Sequence, residues 1–505
     1  MNARPTFTRL TLTALLALLL LVPASAQRPN AAPPSDDELL LAAMHGISSI
    51  TVLDYVKELT SEKYQGRLTG TPAYDASAAW TVALLKGWNY KPAGDQSTFY
   101  QQFPNPYTLV KPGADLNLHI PVAANATLYK PYQFEQDYFP GSTSDSGTTT
   151  AEVVYVGFGT TAPELDYDDY TGLDVKGKIV AMEPESPVGP GPDTELFKKW
   201  RPYSFHDYKM KNAASHGAAG VIYDYHLANP NCVFIKGLQL TYVSAGVMAD
   251  LFAGTGKSHG EVLGQIRKTR QPASMALGKT VTMKNVTEFH PEGIGSNVLA
   301  WREGSDAQLK SETIMVGAHL DHLGLNPELM PGAHDNASGV AVELAVADAL
   351  TRYNKPLKRS VIFILFGAEE QGVKGSEYYL AHPFVPNDRL KAFINLESVG
   401  RGERIGVGSG VNYPQIYEVM ERMNAKWIHR PVSASANANL ARPRQDAAHF
   451  LWASIPSVSI GLSGAPTLPY ATYHTTKDRW ELLSPETMED LARLVFLSVV
   501  ELANK

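Results

Sequence analysis

Three consecutive segments in the second half of the chain, TIMV (residues 313–316), SGVAVELAVADALTRY (338–353) and VIFILF (361–366), alternate between two hydrophobic patterns. The first and third are short apolar runs of the kind found in strands that are buried on both faces. In the second, apolar residues recur at helical spacing, and Ser338 is placed to cap the helix. Two more apolar runs follow, at 392–396 and 457–460. This alternation predicts an α/β fold with a mixed, mostly parallel central sheet flanked by helices.

Acidic and imidazole side chains follow three of these predicted strands. His319 and Asp321 come after the first, Glu369 and Glu370 after the second, and Glu397 after the third. Open α/β sheets bind ligands beyond the carboxyl ends of their strands, so these groups should meet in one crevice. Imidazoles and carboxylates are the ligands that two zinc ions need when they share one bridging carboxylate. The pattern therefore predicts a metal centre.

Four motifs carry a resemblance to a known family. GAHLDH (residues 317–322), GAHDNASG (332–339), GAEE (367–370) and YHTTKD (473–478) resemble the motifs of the co-catalytic di-zinc exopeptidases, metallopeptidase family 28. That family includes secreted aminopeptidases and glutamate carboxypeptidase. The resemblance covers roughly residues 48–100 and 285–500, and it implies a catalytic domain of the zinc-peptidase phosphorylase/hydrolase-like type over residues 48–120 and 281–505.

The resemblance also implies a ligand set for two Zn²⁺ ions per chain. His319 and Glu397 would bind one ion, Glu370 and His474 would bind the other, and Asp335 would bridge them. The family position of Glu397 is more often Asp, and the extra methylene puts the relative affinity of the two metal positions in doubt.

Three further roles follow from the same resemblance. Glu369 would be the general base, and Asp321 would orient His319 through its other ring nitrogen. Tyr473 is a candidate donor to the tetrahedral oxyanion, with a packed loop aromatic as the alternative. Three more histidines near the motifs are interpreted as loop or supporting groups and not as ligands: His322, His334 and His449.

Residues 121–280 have a different sequence pattern from the rest of the chain, because short β-rich runs alternate with Gly, Pro and Asp loops. We expect a β-rich module with a helix or two and no ligand cluster. The segment from Tyr167 through Val180 resembles the protease-associated domain that is often inserted into these enzymes. From its placement, the module should shield the crevice and limit the length of substrates.

The first residues have the pattern of a signal peptide. Arg4 and Arg9 precede an apolar run, and Ala24-Ser25-Ala26 forms a small-residue cleavage site. We expect residues 1–26 to be removed near Ala26, with export to a periplasm or the medium. Residues 27–47 would then be a flexible lead-in. No later segment approaches about 18 apolar residues, which predicts a mature protein without a stable membrane anchor.

Charge and cysteine content exclude several classes of protein. The net charge is −7 and no basic run is present, so nucleic acid is not an expected partner. Cys232 is the only cysteine, which rules out an intramolecular disulfide. Peptides are the expected substrates, and the oligomeric state stays open.

The predicted function is an exported zinc exopeptidase, with an aminopeptidase favoured because Glu369 and Glu397 would attract a substrate ammonium. A carboxypeptidase would need an arginine for the free carboxylate, and four are available: Arg401, Arg404, Arg442 and Arg444. Two further candidate functions keep the same fold. One is a glutaminyl cyclase with a single zinc, and the second is an inactive, receptor-like binding protein that would have lost ligands or the base.

Overall fold

The computed structural model describes residues 35–123, 126–189, 194–436, 444–464 and 472–505. The predicted signal peptide (residues 1–26) lies outside these described residues, and so does Arg442. Within them the helices are α1 (Asp36–His45), α2 (Ser49–Leu59), α3 (Pro72–Gly87), α4 (Thr194–Trp200), α5 (His206–Ser215), α6 (Ala245–Phe252), α7 (His259–Thr269), α8 (Ser338–Tyr353), α9 (Lys374–Ala381), α10 (Pro414–Met423), α11 (Ala447–Trp452) and α12 (Pro485–Asn504).

The strands fall into two large sheets and two short pairs. In chain order they are β1 (Lys91–Pro92), β2 (Tyr100–Pro104), β3 (Tyr107–Val110), β4 (Asp115–Ala123), β5 (Ala126–Pro131), β6 (Tyr138–Pro140), β7 (Gly147–Tyr155), β8 (Thr161–Ala162), β9 (Tyr167–Asp168), β10 (Ile179–Met182), β11 (Gly220–Tyr223), β12 (Gln239–Val243), β13 (Met275–Asn285), β14 (Thr287–His290), β15 (Ile294–Arg302), β16 (Thr313–His319), β17 (Ser360–Phe366), β18 (Leu390–Leu396), β19 (Arg404–Gly408), β20 (Val432–Ser435) and β21 (Ser457–Ser463).

The larger sheet has nine strands in the order β1-β15-β17-β16-β18-β21-β19-β20, with β2 also paired to β15. Its centre, β17-β16-β18-β21, is parallel throughout. Antiparallel strands adjoin both sides, β15 next to β17 and β19 next to β21. The predicted mixed central sheet is therefore confirmed, with its parallel pairings concentrated in the four central strands.

Helices cover both faces of this sheet because its central strands are apolar on both sides. Along β17, Phe363 belongs to the core under α1, α2, α3, α8, α10 and α12. Its neighbours Ile362 and Ile364 belong to the core under α9 and α11. One detail of the prediction is wrong: Ser338 does not cap α8. It is the first residue of the helix, and its hydroxyl donates to the main-chain oxygen of His334 at 2.7 Å.

The second sheet has eight strands in the order β5-β4-β13-β7-β10-β11-β12-β6 and spans residues 115–285, here called the insert. It has its own buried clusters, although Leu323 and Met330 of the larger part join one of them. The predicted module, 121–280, lies inside this span. The insert contains α4, α5, α6 and α7, which is more helix than the one or two that were expected.

The predicted flexible lead-in at 27–47 is wrong for residues 36–45, which are helical, and its residues 27–34 lie outside the described residues. Ser35 and Glu38 form a capping box at the start of α1, and Ala43 and Met44 are buried in the main core. The Ser-x-x-Glu pattern at residues 35–38 is therefore the sequence feature that indicates the start of this helix. Among the described residues, no single helix is both long and apolar enough to cross a membrane. The pair α1 and α2, bent by 47°, passes that test only when its two helices are taken together.

Candidate metal centre

The predicted site residues meet at the carboxyl ends of the parallel strands. His319 is the last residue of β16, Glu369 and Glu370 follow β17, and Glu397 follows β18. Left-handed backbone at Ala368, which L-residues adopt at a cost of about 1–2 kcal/mol, turns the chain sharply before the two glutamates. The sheet therefore aims side chains from three strands into one crevice.

Asp335 lies between two imidazoles. Its Oδ1 is 3.2 Å from Nε2 of His319, and its Oδ2 is 3.2 Å from Nε2 of His474. The same nitrogen of His319 is 3.3 Å from Oε1 of Glu397, and that of His474 is 3.0 Å from Oε2 of Glu370. Each oxygen of Asp335 thus belongs to a different group of possible ligands.

These spacings fit zinc. Donor atoms of a tetrahedral zinc site with bonds of about 2.0–2.1 Å lie about 3.3 Å apart. The contacts among these five side chains span 3.0 to 3.3 Å. Among the described residues, Nε2 of His474 and Oε2 of Glu397 are buried without a hydrogen bond. A metal ligand needs a nitrogen or oxygen atom whose lone pair is not used in a hydrogen bond. These buried atoms meet that requirement, so the residues present suit zinc.

The charges of this cluster depend on one another. Burial on its own would raise the pKa of Asp335, but His319 and His474 hold it well below its usual value. Burial would likewise lower the pKa of both histidines, yet Glu397 beside His319 and Glu370 beside His474 hold each well above it. The negative charge of the carboxylates therefore dominates the crevice, as expected where cations bind.

His322 lies closer to the centre than its interpretation as a supporting group implies. Its Nδ1 is 2.7 Å from Oε1 of Glu370, and it forms a possible ligand group with Asp335 and Glu370. Its ring also stands edge-on to that of His474, with centroids 5.6 Å apart. His334 and His449 belong to none of the possible ligand groups found among the described residues.

Asp321 makes contacts different from the predicted one. The oxygen nearest to Nδ1 of His319 is the main-chain oxygen of Asp321, at 3.1 Å, whereas the Asp321 carboxylate is 3.7 Å away. That carboxylate instead accepts hydrogen bonds from the backbone amides of Glu369, at 3.1 Å, and Glu370, at 3.2 Å. Asp321 therefore holds the turn that carries both glutamates, in addition to neighbouring His319.

Glu369 and Tyr473 face the same cavity. Burial raises the pKa of Glu369 well above its usual value, and Glu397 and Glu370 raise it further. Tyr473 stacks on His474 with ring centroids 3.8 Å apart. Burial and the carboxylates of Asp335 and Glu370 also raise the pKa of Tyr473, so its hydroxyl keeps its proton. A proton acceptor and a proton donor thus line one crevice.

Three buried ionisable residues of the site had not been predicted. Arg67 donates from its guanidinium to the main-chain oxygens of Leu59, Leu320, Pro331 and Gly332. Asp478 accepts from the backbone amides of His334 and Asp335. Burial raises the pKa of Asp446 to about 8. Asp478 belongs to the YHTTKD motif, whereas no sequence pattern marked Arg67 or Asp446.

The insert supplies one wall of the cavity beside these residues. This cavity, about 280 Å³, is lined by Glu369, Glu370, Tyr473 and His474 and also by insert residues that include Phe205, His206, Tyr225 and Asn229. Arg444 also lines it, 3.4 Å from Oε1 of Glu185. Of the arginines that could bind a substrate carboxylate, Arg401 and Arg404 do not line this cavity, and Arg442 lies outside the described residues.

The insert also holds a charged cluster, which the sequence had not indicated. Nε2 of His259 is 2.6 Å from Glu183 and 3.8 Å from Asp224, and the hydroxyl of Tyr155 donates to Glu183 at 2.9 Å. Glu183, Asp224 and His259 thus form a further possible ligand group, so the expectation that the insert carries no ligand cluster is not confirmed. The His259–Glu183 distance is also that of a charge-assisted hydrogen bond within an ion-pair network.

Comparison with known proteins agrees with this geometry. Residues 297–499 match the profile of peptidase family M28, and this stretch contains His319, Asp335, Glu370, Glu397 and His474. An aminopeptidase of Pseudomonas aeruginosa (strain UCBPP-PA14) is 26% identical over 361 residues, covering 69% of this chain and 56% of its own length. The chain thus spans little more than half of that relative.

Solved structures share the fold over nearly the whole chain. The aminopeptidase from Aneurinibacillus sp. strain AM-1 has a TM-score of 0.62 at 20% identity, covering 92% of this chain and 96% of its own. BSAP, a zinc aminopeptidase from Bacillus subtilis, has a TM-score of 0.59 at 21% identity, covering 91% and 96%. At these identities the likeness concerns the fold.

Proposed function

We propose that this chain is a zinc-dependent exopeptidase that removes amino-terminal residues from peptides at a centre of two zinc ions. The proposed ligands are His319, Asp335, Glu370, Glu397 and His474. One observation carries the proposal: the two oxygens of Asp335 each lie 3.2 Å from a different histidine. A carboxylate shared in this way is the feature that a two-metal centre needs.

Zinc bound there would polarise the scissile carbonyl and make a water more acidic. The rest of the chemistry belongs to the chain. Glu369 takes a proton from the attacking water and passes it to the nitrogen of the leaving amine. Tyr473 donates its hydroxyl hydrogen to the oxygen of the tetrahedral intermediate. Asp321 keeps Glu369 in place through the backbone amide at 3.1 Å.

Preference for a free amino terminus is supported by the charge of the crevice. Glu369 and Glu370 line the cavity and Glu397 lies beside His319, and an ammonium group would be attracted to these carboxylates. The relatives named aminopeptidase support the same choice. Peptides with a free amino terminus should be cleaved, and the same peptides acetylated at that end should resist. Cleavage of the acetylated peptides alone would overturn the proposal.

Metal dependence is tested separately. Purified protein should contain two zinc ions per chain, and dialysis against a chelator should abolish cleavage until zinc is restored. One zinc per chain, with cyclisation of amino-terminal glutamine, would support a glutaminyl cyclase instead. Zinc binding without any turnover would support a receptor-like binding protein.

A carboxypeptidase is the second candidate because Arg444 lines the same cavity and could pair with a substrate carboxylate. Peptides amidated at the carboxyl end distinguish the two. An aminopeptidase should cleave the amidated and free forms at similar rates, whereas a carboxypeptidase should lose the amidated form.

Export remains part of the proposal. Cleavage after Ala26 would leave Gln27 as the first residue of the mature protein. Amino-terminal sequencing of protein from the periplasm and the medium tests this, and a retained Met1 in the exported fractions would count against it.

A further inference from the structure

One short loop links both halves of the metal centre. Residues 472–478 carry the proposed ligand His474 at one end and Asp478 at the other. The carboxylate of Asp478 accepts hydrogen bonds from the amides of His334, at 2.9 and 3.1 Å, and Asp335, at 3.0 Å. A shift of this loop would therefore move His474 and also release the turn that holds Asp335.

The first of two contacts between the insert and this loop is made at His474. Nδ1 of His474 is 2.8 Å from the main-chain oxygen of Ala228. A metal-binding histidine commonly donates its second ring N–H to such an acceptor, which sets the tautomer and the ring orientation. The carbonyl of Ala228 thus directs Nε2 of His474 towards Asp335 and Glu370.

The second contact is Glu135, which reaches the same loop from another turn of the insert. Its Oε1 accepts from the backbone amide of Thr476 at 3.1 Å, and both of its oxygens lie 3.0 Å from the Thr476 hydroxyl. Lys477 adds a weaker ion pair at 3.7 Å. One carboxylate therefore binds two donors of a single residue, two positions after His474.

The turn that presents Glu135 is built for one geometry. The backbone of Glu135 is left-handed, with φ of 63°, which costs a non-glycine residue on the order of 1 kcal/mol. Asp137 holds the turn from both sides. Its carboxylate accepts from the amide of Gln133 at 2.9 Å, and its main-chain oxygen accepts from the amide of Ser244 at 2.8 Å.

We propose that Glu135 is a positioning residue of the metal centre, through which the insert holds the loop of His474 in ligand geometry. The insert is then a structural part of the zinc site as well as a wall of its cavity. This inference rests on the proposed function, since it assigns His474 as a ligand. Glu135 itself touches neither the metal nor the substrate.

The test compares the zinc affinity of variants by competition with a chromophoric chelator, starting from metal-depleted protein. Glu135→Ala and Thr476→Val remove the contact from opposite sides. Both should weaken binding of the zinc held by Glu370 and His474 by roughly 10-fold, the lower end of the effect of residues that support metal ligands. Because the two changes break one contact, the double variant should lose little more than either single variant. Glu135→Gln, which keeps one acceptor oxygen, should recover part of the loss.

Glu152→Ala is the matched control, since Glu152 is an exposed acid of the insert that pairs with Lys178 at the surface. It should bind zinc as the wild type does. Wild-type zinc affinity in both Glu135→Ala and Thr476→Val would overturn the inference, and so would full additivity in the double variant. The wild-type protein tests the proposed function separately, because an absence of zinc or of peptide cleavage there is independent of any variant.

Discussion

Nδ1 of His474 lies 2.8 Å from the main-chain oxygen of Ala228, a residue 246 positions earlier in the chain. The first belongs to the loop that follows the central sheet and the second to the insert. The insert was expected to act as a shield that limits substrate length. Because of this contact, deletion of the insert would also release the ring of His474, a proposed zinc ligand. A deletion would therefore change the metal site as well as the substrate selectivity.

The first prediction concerns which imidazole completes the second ligand group. Both His474 and His322 approach Glu370, at 3.0 and 2.7 Å. His474→Ala should lower the zinc content from two ions to one and abolish turnover, because His474 also faces Asp335. His322→Ala should keep two ions at reduced affinity. The reverse result, measured by elemental analysis of both variants, would make His322 the ligand.

The second prediction separates the base from the ligands. Glu369→Gln should lower kcat by about 10²–10⁴-fold, the usual contribution of general acid–base catalysis, while zinc content stays at the wild-type level. Glu377→Gln is the control, because Glu377 is an exposed acid on the nearby α9. Steady-state kinetics and zinc analysis check both variants. Loss of zinc from Glu369→Gln would show that Glu369 acts as a ligand.

The third prediction addresses Glu397, where Asp is the more usual family residue. Oε1 of Glu397 lies 3.3 Å from Nε2 of His319. Glu397→Asp would withdraw the carboxylate by about one bond length, so zinc affinity on the His319 side should fall by roughly 10-fold or more. Calorimetric zinc titration measures this change. An unchanged affinity would mean that the backbone after β18 adjusts to the shorter side chain.

The fourth prediction concerns Arg67, which is fully buried and donates to four main-chain oxygens. Burial lowers the pKa of its guanidinium to about 10, so it remains charged at neutral pH. Arg67→Met would leave those four oxygens without their guanidinium donor and remove a buried positive charge near Asp321 and Asp478, and the free energy of unfolding should fall by about 3 kcal/mol or more. Denaturant titration checks it, and a loss below about 1 kcal/mol would contradict the prediction.

The fifth prediction is a pH dependence of the insert. Burial and, after it, the neighbouring Glu183 together raise the pKa of Asp224 from 3.8 to about 7. The folded state therefore holds a proton that the unfolded chain has released, and stability falls as pH rises from about 4 to 7. The raised pKa of His259 acts in the same direction at higher pH. Asp224→Asn should reduce the fall in Tm between pH 5 and 8, whereas an unaltered slope would exclude this origin.

How much of the centre could be predicted depends on where each residue lies in the chain. His319, Glu369, Glu370 and Glu397 were predicted because each follows a strand that hydrophobic patterning identifies, and parallel strands end at one edge. The close contact of His322 with Glu370 was not predicted, because the direction of its ring depends on packing. Arg67 and Asp446 were missed because burial of a charge depends on segments that are distant in sequence.

By itself the sequence predicted a mixed sheet, the meeting of acids and imidazoles at the carboxyl ends of its central strands, and residue types that suit zinc. Those properties are local: they follow from hydrophobic periodicity and from the residue types that come after each strand. Only the tertiary structure decided how the insert takes part. The contact at Ala228 is made by a main-chain oxygen, which every residue has, so no side-chain pattern could reveal it. The hydrogen bonds between Glu135 and Thr476, which are 341 positions apart, likewise form only where the insert packs against the rest of the chain.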